Sequence, residues 1–562
     1  MADQRTHRHP WVYAAVLLAF GVPLAVAQEP RPPATPPPPA TKLEDRLQQM
    51  EAQNLKLAEQ LEKAQRRHDE QMQQVLQEMT QLRKQLGSGK ATSTSSGGNS
   101  SGGGGAGTAG GASAGGGAGA ARPGDGPNIG GAPDTPGGRR SPIPGYGISG
   151  ATAEKKSPLK ANFGPGFELM TEDKEFQLQL HQETQFDART FIPHGDDYAR
   201  SGFVFPRVRL FFNGRITQPI EYTISLNRGF SGLDLLDGFV NFRYDDRAQL
   251  KVGRFMTPFN YEQFAIQNMW LFAPERSLFT SNLGLNRQLG VQLWGNLFDN
   301  RVDYAVGAFD GPRNSYEDYN EAKDVISYLN IRPFGDQEKG SLLRDLNVGG
   351  SFSYGEQDNP VVPRAFRTAS NASNASTADL FSPPFLILGD STRERGQRTL
   401  WSAHAAYFYK QFSFFTDYNG GILRYAVNKK AAESVEVPVS GYSVAMGYFL
   451  TGESQERRTI LEPKHPFSLR RDKLGPGAWE LIFRYSSLEF DHSVFTGGLA
   501  NPELWSQRAW TTNLGMNWYL NRYVKIYFDW QHTEFGNPVI YRQPDLKQLT
   551  NELFWIRMQL YF

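Results

Sequence analysis

Arg207, Arg209 and Arg215 fall at odd positions of one stretch, 203–217, in which Val208, Leu210 and Phe212 hold the even ones. A strand turns successive side chains to opposite faces. A strand here therefore carries the guanidiniums, with Asn213, on one face and the apolar groups on the other. Guanidinium stays charged, and its planar fork fits phosphate or carboxylate oxygens two at a time. Along a wet wall, such groups can replace the hydration that an oxyanion loses in a narrow passage. Several moderate sites in series also let the ion leave again. Arg243, Lys251 and Arg484 are further candidates of this kind. For each of the six, the other reading is a partner for a nearby Asp or Glu that stiffens the wall.

Composition excludes most other chemistry. The chain has no Cys, which removes disulfides, thiolate catalysis and Cys-based zinc sites. His181, His194, His404 and His532 are dispersed without metal-ligand spacing, and no Ser-His-Asp arrangement can be argued. No metal or other cofactor and no enzyme activity is expected. Net charge is +1, so there is no bulk field for nucleic acid and any preference for anions is local.

The elements that would position these arginines are strands of a membrane barrel. Phe554, Ile556, Met558, Leu560 and Phe562 alternate with Trp555, Arg557, Gln559 and Tyr561, one face apolar and the other wettable. Val240, Phe242 and Tyr244 oppose Asn241 and Arg243; Trp479, Leu481, Phe483 and Tyr485 oppose Glu480, Arg484 and Ser486; Val524, Ile526, Phe528 and Trp530 oppose Lys525, Tyr527, Asp529 and Gln531. An arginine facing lipid near the midplane costs roughly 2–4 kcal/mol, so the charged faces point into a lumen. About sixteen such strands are expected over 161–562, an all-β transmembrane antiparallel barrel wide enough for an aqueous channel.

Counting strands from a periplasmic start makes 257–286, 311–323 and 356–398 extracellular, with Asn371 and Asn374 in sequon-like settings at a polar tip. The segment 450–477 falls on the periplasmic side, where turns are normally short. It carries Arg457, Arg458, Lys464, Arg470, Arg471 and Lys473, and either folds inward to constrict the pore or is a solvated loop.

Ahead of the barrel, residues 1–27 read as a secretory signal peptide, with Arg5 and Arg8 before an apolar stretch and Ala25-Val26-Ala27 at cleavage spacing. A Pro-rich segment, 28–41, leads to a coiled coil over 42–86. Leu43, Leu47, Met50, Leu57 and Leu61 lie on its seam; after a stutter near His68 it resumes at Met72, Val75, Met79, Leu82 and Leu86. A single solvated helix is the alternative. Residues 87–160 are Gly- and Ser-rich and are expected to be disordered. The arm is expected in the periplasm, trimerising or contacting the cell wall.

Several segments in order resemble the phosphate-selective porin O/P family of outer-membrane channels. They include PRVRLFFNGRI at 206–216, LKVGRFMTPFNYEQF at 250–264, FAPERSL at 272–278, RQLGVQLWGNL at 287–297 and GAWELIFRYS at 477–486. The resemblance implies a homotrimeric sixteen-stranded barrel in outer-membrane lipid, with a ladder of basic residues guiding inorganic phosphate or other small anions. It also implies a constriction built from inward-folded loops and a periplasmic turn. A weakly selective general porin, or an envelope tether anchored by its barrel, are the other readings.

Overall fold

The computed structural model describes residues 158–562 apart from 165, 196, 230, 231, 370–380, 429–432 and 543–545. The expected signal peptide, Pro-rich segment, coiled coil and nearly all of the linker lie outside the described residues, as do Asn371 and Asn374.

A hairpin, β1 (Leu159–Gly164) and β2 (Gly166–Thr171), comes first. The wall then runs through β3 (Gln177–Ile192), β4 (Gly202–Thr217), β5 (Ile220–Gly229), β6 (Gly232–Asp245), β7 (Ala248–Met256), β8 (Arg287–Leu297), β9 (Val302–Phe309), β10 (Asp324–Ile331) and β11 (Leu346–Pro360). A small ribbon, β12 (Ala365–Arg367) with β13 (Pro384–Ile387), interrupts it. The wall resumes with β14 (Arg393–Tyr409), β15 (Phe412–Ala426), β16 (Val435–Phe449), β17 (Ala478–Phe490), β18 (Arg508–Tyr519), β19 (Val524–Arg542) and β20 (Leu546–Tyr561). Each wall strand pairs antiparallel with the next, and β20 returns to β3 with Glu552 opposite Ile192 and Tyr561 opposite Glu183. The wall is thus a closed barrel of sixteen strands, leaving no free edge. The β1–β2 hairpin, which the alternation did not announce, pairs with the first residues of β3 below the end of β20. There Phe163, Phe167 and Phe562 form an aromatic cluster.

Residue sorting follows the alternation. On β20, Phe554, Ile556 and Met558 are about half exposed, at 49%, 46% and 50%, whereas Leu553, Trp555, Arg557 and Gln559 are at most 1% exposed. Glu480, Arg484 and Ser486, and likewise Lys525, Tyr527, Asp529 and Gln531, are buried inside. One strand changes parity along its length. On β4, Phe203 and Phe205 are exposed outside, yet Arg207 two residues later is buried inside. The register against β3 shifts between Gln185 and Asp187, and Pro206, which lacks an N–H for the ladder, sits in that irregularity.

One end of the barrel carries the short turns, such as Gln218-Pro219, Asp246-Arg247 and Lys410-Gln411, together with 450–477. The other end carries the long excursions, including 257–286 and 361–392. Replacing outward Ile556 by Arg should lower stability by roughly 2–4 kcal/mol. Urea unfolding of the protein refolded into vesicles would measure this.

Candidate functional site

The segment 257–286 does not stay outside: it crosses the lumen. Tyr261, Phe264, Ile266, Met269, Trp270, Leu271 and Phe272 are buried against Trp294, Tyr328, Phe408 and Phe415 of the inner wall. Asn260, with φ +66, turns the chain into α1 (Tyr261–Phe264), and its side-chain oxygen accepts from Gln263 N. Its amide nitrogen donates to Asp417 and Asn419, both at 2.8 Å. Farther along, α2 (Leu278–Leu283) begins after Ser277, whose hydroxyl donates to Glu262 Oε2 at 2.7 Å, so the segment is also tied to itself.

Between these short helices the backbone is held by its carbonyls. Met269 O accepts from Tyr527 and Gln559, Trp270 O from Arg458, Leu271 O from Lys525 and Phe272 O from Asn517, at 2.9–3.2 Å. Pro274 O accepts from Arg557 and Glu275 O from Arg484. A buried irregular chain needs partners for every carbonyl, and here the inner wall supplies them. The Glu275 carboxylate is the strongest tie. Both its oxygens accept from Arg207 at 2.5 Å, and Oε1 also accepts from Arg557 at 2.8 Å. Burial alone would raise this carboxyl, but Arg207 and Arg557 hold it well below the usual range. Arg557 in turn grips Asp187, which is shared with Arg189.

A second insertion comes from 361–392. Phe366, Phe385, Leu386 and Leu388 are buried against Leu423, Val437, Leu488 and Phe490. Arg189 donates to Phe381 O at 2.6 Å, and the amide of Asn282 joins the Arg367 backbone, binding the two insertions together.

The remaining space is eccentric. A cavity of about 530 Å³ runs along the inner face of β4–β7, past Arg207, Arg209, Phe211 and Asn213 on one strand. The 257–286 segment supplies its opposite side through Gln263, Asn268, Glu275 and Arg276, and Arg313 lines it from the β9–β10 excursion. Three of the six expected lumen cations line this space: Arg207, Arg209 and Lys251. Arg207 is committed to Glu275, and Arg209 reaches Glu183 at 3.1 Å. The Lys251 ammonium lies 4.6 Å from the Phe239 ring centre and 5.1 Å from that of Trp294.

The other three candidates stand apart from the cavity. Arg215 sits near the turn end against Met170 of the hairpin. Arg243 is paired with Glu221 and Asp246. Arg484 lies behind the inserted segment, bonded to Asn513 and to the Glu275 carbonyl. Parity told which face each occupies, but not what already occupies that part of the lumen.

The 450–477 turn is split. Arg458 folds inward, pairs with Glu480 and stacks 4.1 Å over Phe272, so it buttresses the inserted segment. Lys464 is exposed, its ammonium taken by Gly452 O at 2.5 Å. Arg470, Arg471 and Lys473 are exposed on a small hairpin closed by Ser468 and Gly475, and are not in the constriction. The reason is local: Phe467 bonds Leu520 O and packs on outward-facing Trp518, which draws this half of the turn to the outer side. Arg457 is half-buried on the inner half, beside Arg458 and near Asp303 and Tyr261.

Sequence reasoning missed Arg276, Arg287 and Arg313 on the lining. Arg287 donates to Asp237 at 2.9 Å. Arg313 donates to the carbonyls of Asn282 and Ser281, both at 2.7 Å, and Arg276 to those of Glu262 and Ile266. Neither Arg276 nor Arg313 forms an ion pair among the described residues. The available signal was composition: 257–286 carries Phe259, Phe264, Trp270, Leu271, Phe272, Leu278 and Phe279, too apolar for a solvated loop.

A closed wall, apolar without and charged within, suits only a membrane crossed by strands, and an inner path beside inward-folded segments makes this a β-barrel channel of the porin class. The family model described as phosphate-selective porin O and P matches residues 178–562, and the chain belongs to that family of outer-membrane porins. Porin O of Pseudomonas aeruginosa is 25% identical over 387 residues, covering 64% of this chain and 84% of that protein. Among solved structures, an anion-selective porin from Comamonas acidovorans matches with 11% identity and TM-score 0.41, over 69% of this chain and 100% of its own. The channel DcaP of Acinetobacter baumannii matches with 10% identity and TM-score 0.39, over 70% and 99%. Likeness at that distance carries no weight for solute or assembly.

Glu275→Gln should strand two buried guanidiniums with one weak acceptor, a loss on the order of 3–5 kcal/mol. The expected result is a lower unfolding temperature in detergent, read by circular dichroism, together with noisier and larger single-channel currents as the inserted segment loosens.

Proposed function

We propose that this porin passes small anions by passive diffusion along the eccentric path, with inorganic phosphate as the favoured solute. The observation that carries the reading is the charge on the lining. On the lining Arg207, Arg209, Lys251, Arg276, Arg287 and Arg313 face Asp234, Asp237, Glu275 and Glu317, six cations to four acids, and Glu183 behind Arg209 leaves a surplus of one positive charge. Arg276 and Arg313 matter most, because their hydrogen bonds go to neutral backbone carbonyls, and Glu262 and Glu394 act on them only through space. Burial pulls both guanidiniums down to about 10, still far above neutral pH, so both keep their charge. Fixed cations on a low-dielectric wall raise the local concentration of anions and exclude cations. An oxyanion passing them exchanges water for charge-assisted hydrogen bonds. Membership of the family described as phosphate-selective porin O and P, and the similarity to Porin O, agree with this reading.

The assembly we propose is a homotrimer in the outer membrane, with residues 42–86 as a periplasmic coiled coil that joins the three chains or reaches the cell wall. Deleting 42–150 should weaken the oligomer on unheated gels or free the barrel from the cell wall. If neither changes, the arm has another task.

Selectivity is tested by reversal potential in a salt gradient across planar bilayers. A charge about 4 Å from the ion path contributes on the order of 1 kcal/mol in a water-like dielectric. Arg209→Gln and Arg276→Gln should each reduce the anion-to-cation permeability ratio about fivefold, while Arg243→Gln, off the cavity, should leave it nearly unchanged. Added phosphate should block chloride current. Permeability ratios unchanged in all three variants and no phosphate block would make this a general, weakly selective pore.

A further inference from the structure

The outer half of the 450–477 turn has no task in the channel, and its position is unusual. Trp479 and Trp518 stand on the outer face at the turn end of β17 and β18, stacked at 4.8 Å. Both indole N–H groups donate to Pro476 O, at 3.1 and 2.8 Å. Phe467 meets Trp518 edge to face at 4.9 Å, and its N–H donates to Leu520 O at 2.6 Å. Outward-facing Trp at a strand end marks the level where headgroups begin. The hairpin rooted on this pair is closed by reciprocal bonds between Ser468 and Gly475 at 3.0 and 3.1 Å. A Cβ at Gly475 would lie 2.0 Å from Pro466 O, so only glycine fits that return.

Its tip is Leu469-Arg470-Arg471-Asp472-Lys473-Leu474. The two leucines are 77% and 71% exposed, among the most exposed apolar side chains of the described residues. They flank three cations and one acid. A paired apolar display beside clustered positive charge, fixed at the aromatic belt, fits an interface where acyl chains meet anionic headgroups. It does not fit the pore, which lies on the other side of the wall.

We infer that the 467–475 hairpin is a docking site for anionic phospholipid of the leaflet at the turn end. Leu469 and Leu474 enter the acyl boundary, and Arg470, Arg471 and Lys473 hold the phosphate. Bound lipid would fix the outer half of the turn on the wall while Arg458 fixes the inner half on Phe272.

The absence of Cys makes a clean test possible, because one introduced thiol carries a unique label. Full-length Leu469→Cys and, separately, Leu474→Cys proteins are labelled with an environment-sensitive fluorophore and reconstituted into phosphatidylcholine vesicles containing phosphatidylglycerol. Brominated phosphatidylglycerol should quench the probe several-fold more strongly than brominated phosphatidylcholine at equal mole fraction. Arg470→Gln, Arg471→Gln and Lys473→Gln together should abolish that preference while conductance stays unchanged. Absence of quenching by either lipid would place the hairpin in water and overturn the inference. Equal quenching by both lipids in the otherwise unaltered hairpin would remove the headgroup site. Thiol cross-links joining two chains through position 469 or 474 would assign the surface to a second copy instead.

Discussion

The interior depends on one carboxylate held between two arginines. A wall of sixteen strands encloses more space than its own side chains fill, and the shape of that space is decided by what is inserted into it. Glu275 brings the inserted segment to Arg207 on β4 and Arg557 on β20. Arg557 passes the connection to Asp187 and so to Arg189, which holds the second insertion by the Phe381 carbonyl. The chain of charges therefore runs over β3, β4 and β20, joins the first inserted segment through Glu275 and reaches the second through a backbone carbonyl. Taking these ions out of water is costly, and the cost is offset only if every charge is met at close range. That requirement explains why so many inner-wall arginines hold the structure in place rather than conduct.

A distinction between two sorts of lumen cation follows. Arg458, Arg484 and Arg557 lie on the filled side, buried, with carboxylates, an Asn side chain or inserted carbonyls saturating their forks. Arg276 and Arg313 lie beside the open path with only carbonyls as partners, and Arg209 beside them is held at one side by Glu183. For a passing anion only the second sort matters, since a guanidinium already committed to a carboxylate projects little net field. The off-centre path is thus a consequence of packing: apolar groups of both insertions crowd against β10–β19, leaving the β4–β7 wall wet.

How much of this was legible in the sequence depended on the length scale of the rule used. Alternation acts over two residues, and it placed Arg557 inside and Ile556 outside, found the strands and closed the barrel in number. It failed at Pro206, where an irregular register reverses the faces of one strand, and it had nothing to say about the β1–β2 hairpin. The crossing of the lumen by 257–286 is a long-range event. Its apolar content was the one signal that burial was needed, and strand counting passed over it; the partners, such as Asn260 with Asp417 or Met269 with Tyr527, are separated by more than a hundred residues. The same limit left Arg215, Arg243 and Arg484 correctly assigned to a face yet off the lining of the cavity.

The 450–477 turn shows how one segment can serve both sides of a membrane wall. Its length, anomalous for a turn at this end, is used twice: Glu453 to Leu461 underpins the lumen through Arg458, and Phe467 to Gly475 lies against the outer tryptophans. Leu461, buried with Phe449, Ala478 and Tyr519, is the pivot between them. Positive charge alone did not decide which half went where. Arg458 had a buried carboxylate, Glu480, waiting at the strand that follows, whereas Arg470, Arg471 and Lys473 had none and stay exposed, where water or headgroups can meet their charge. Charge in a membrane protein goes where a counter-charge is fixed or where water or headgroups can reach it, and this turn divides along that line.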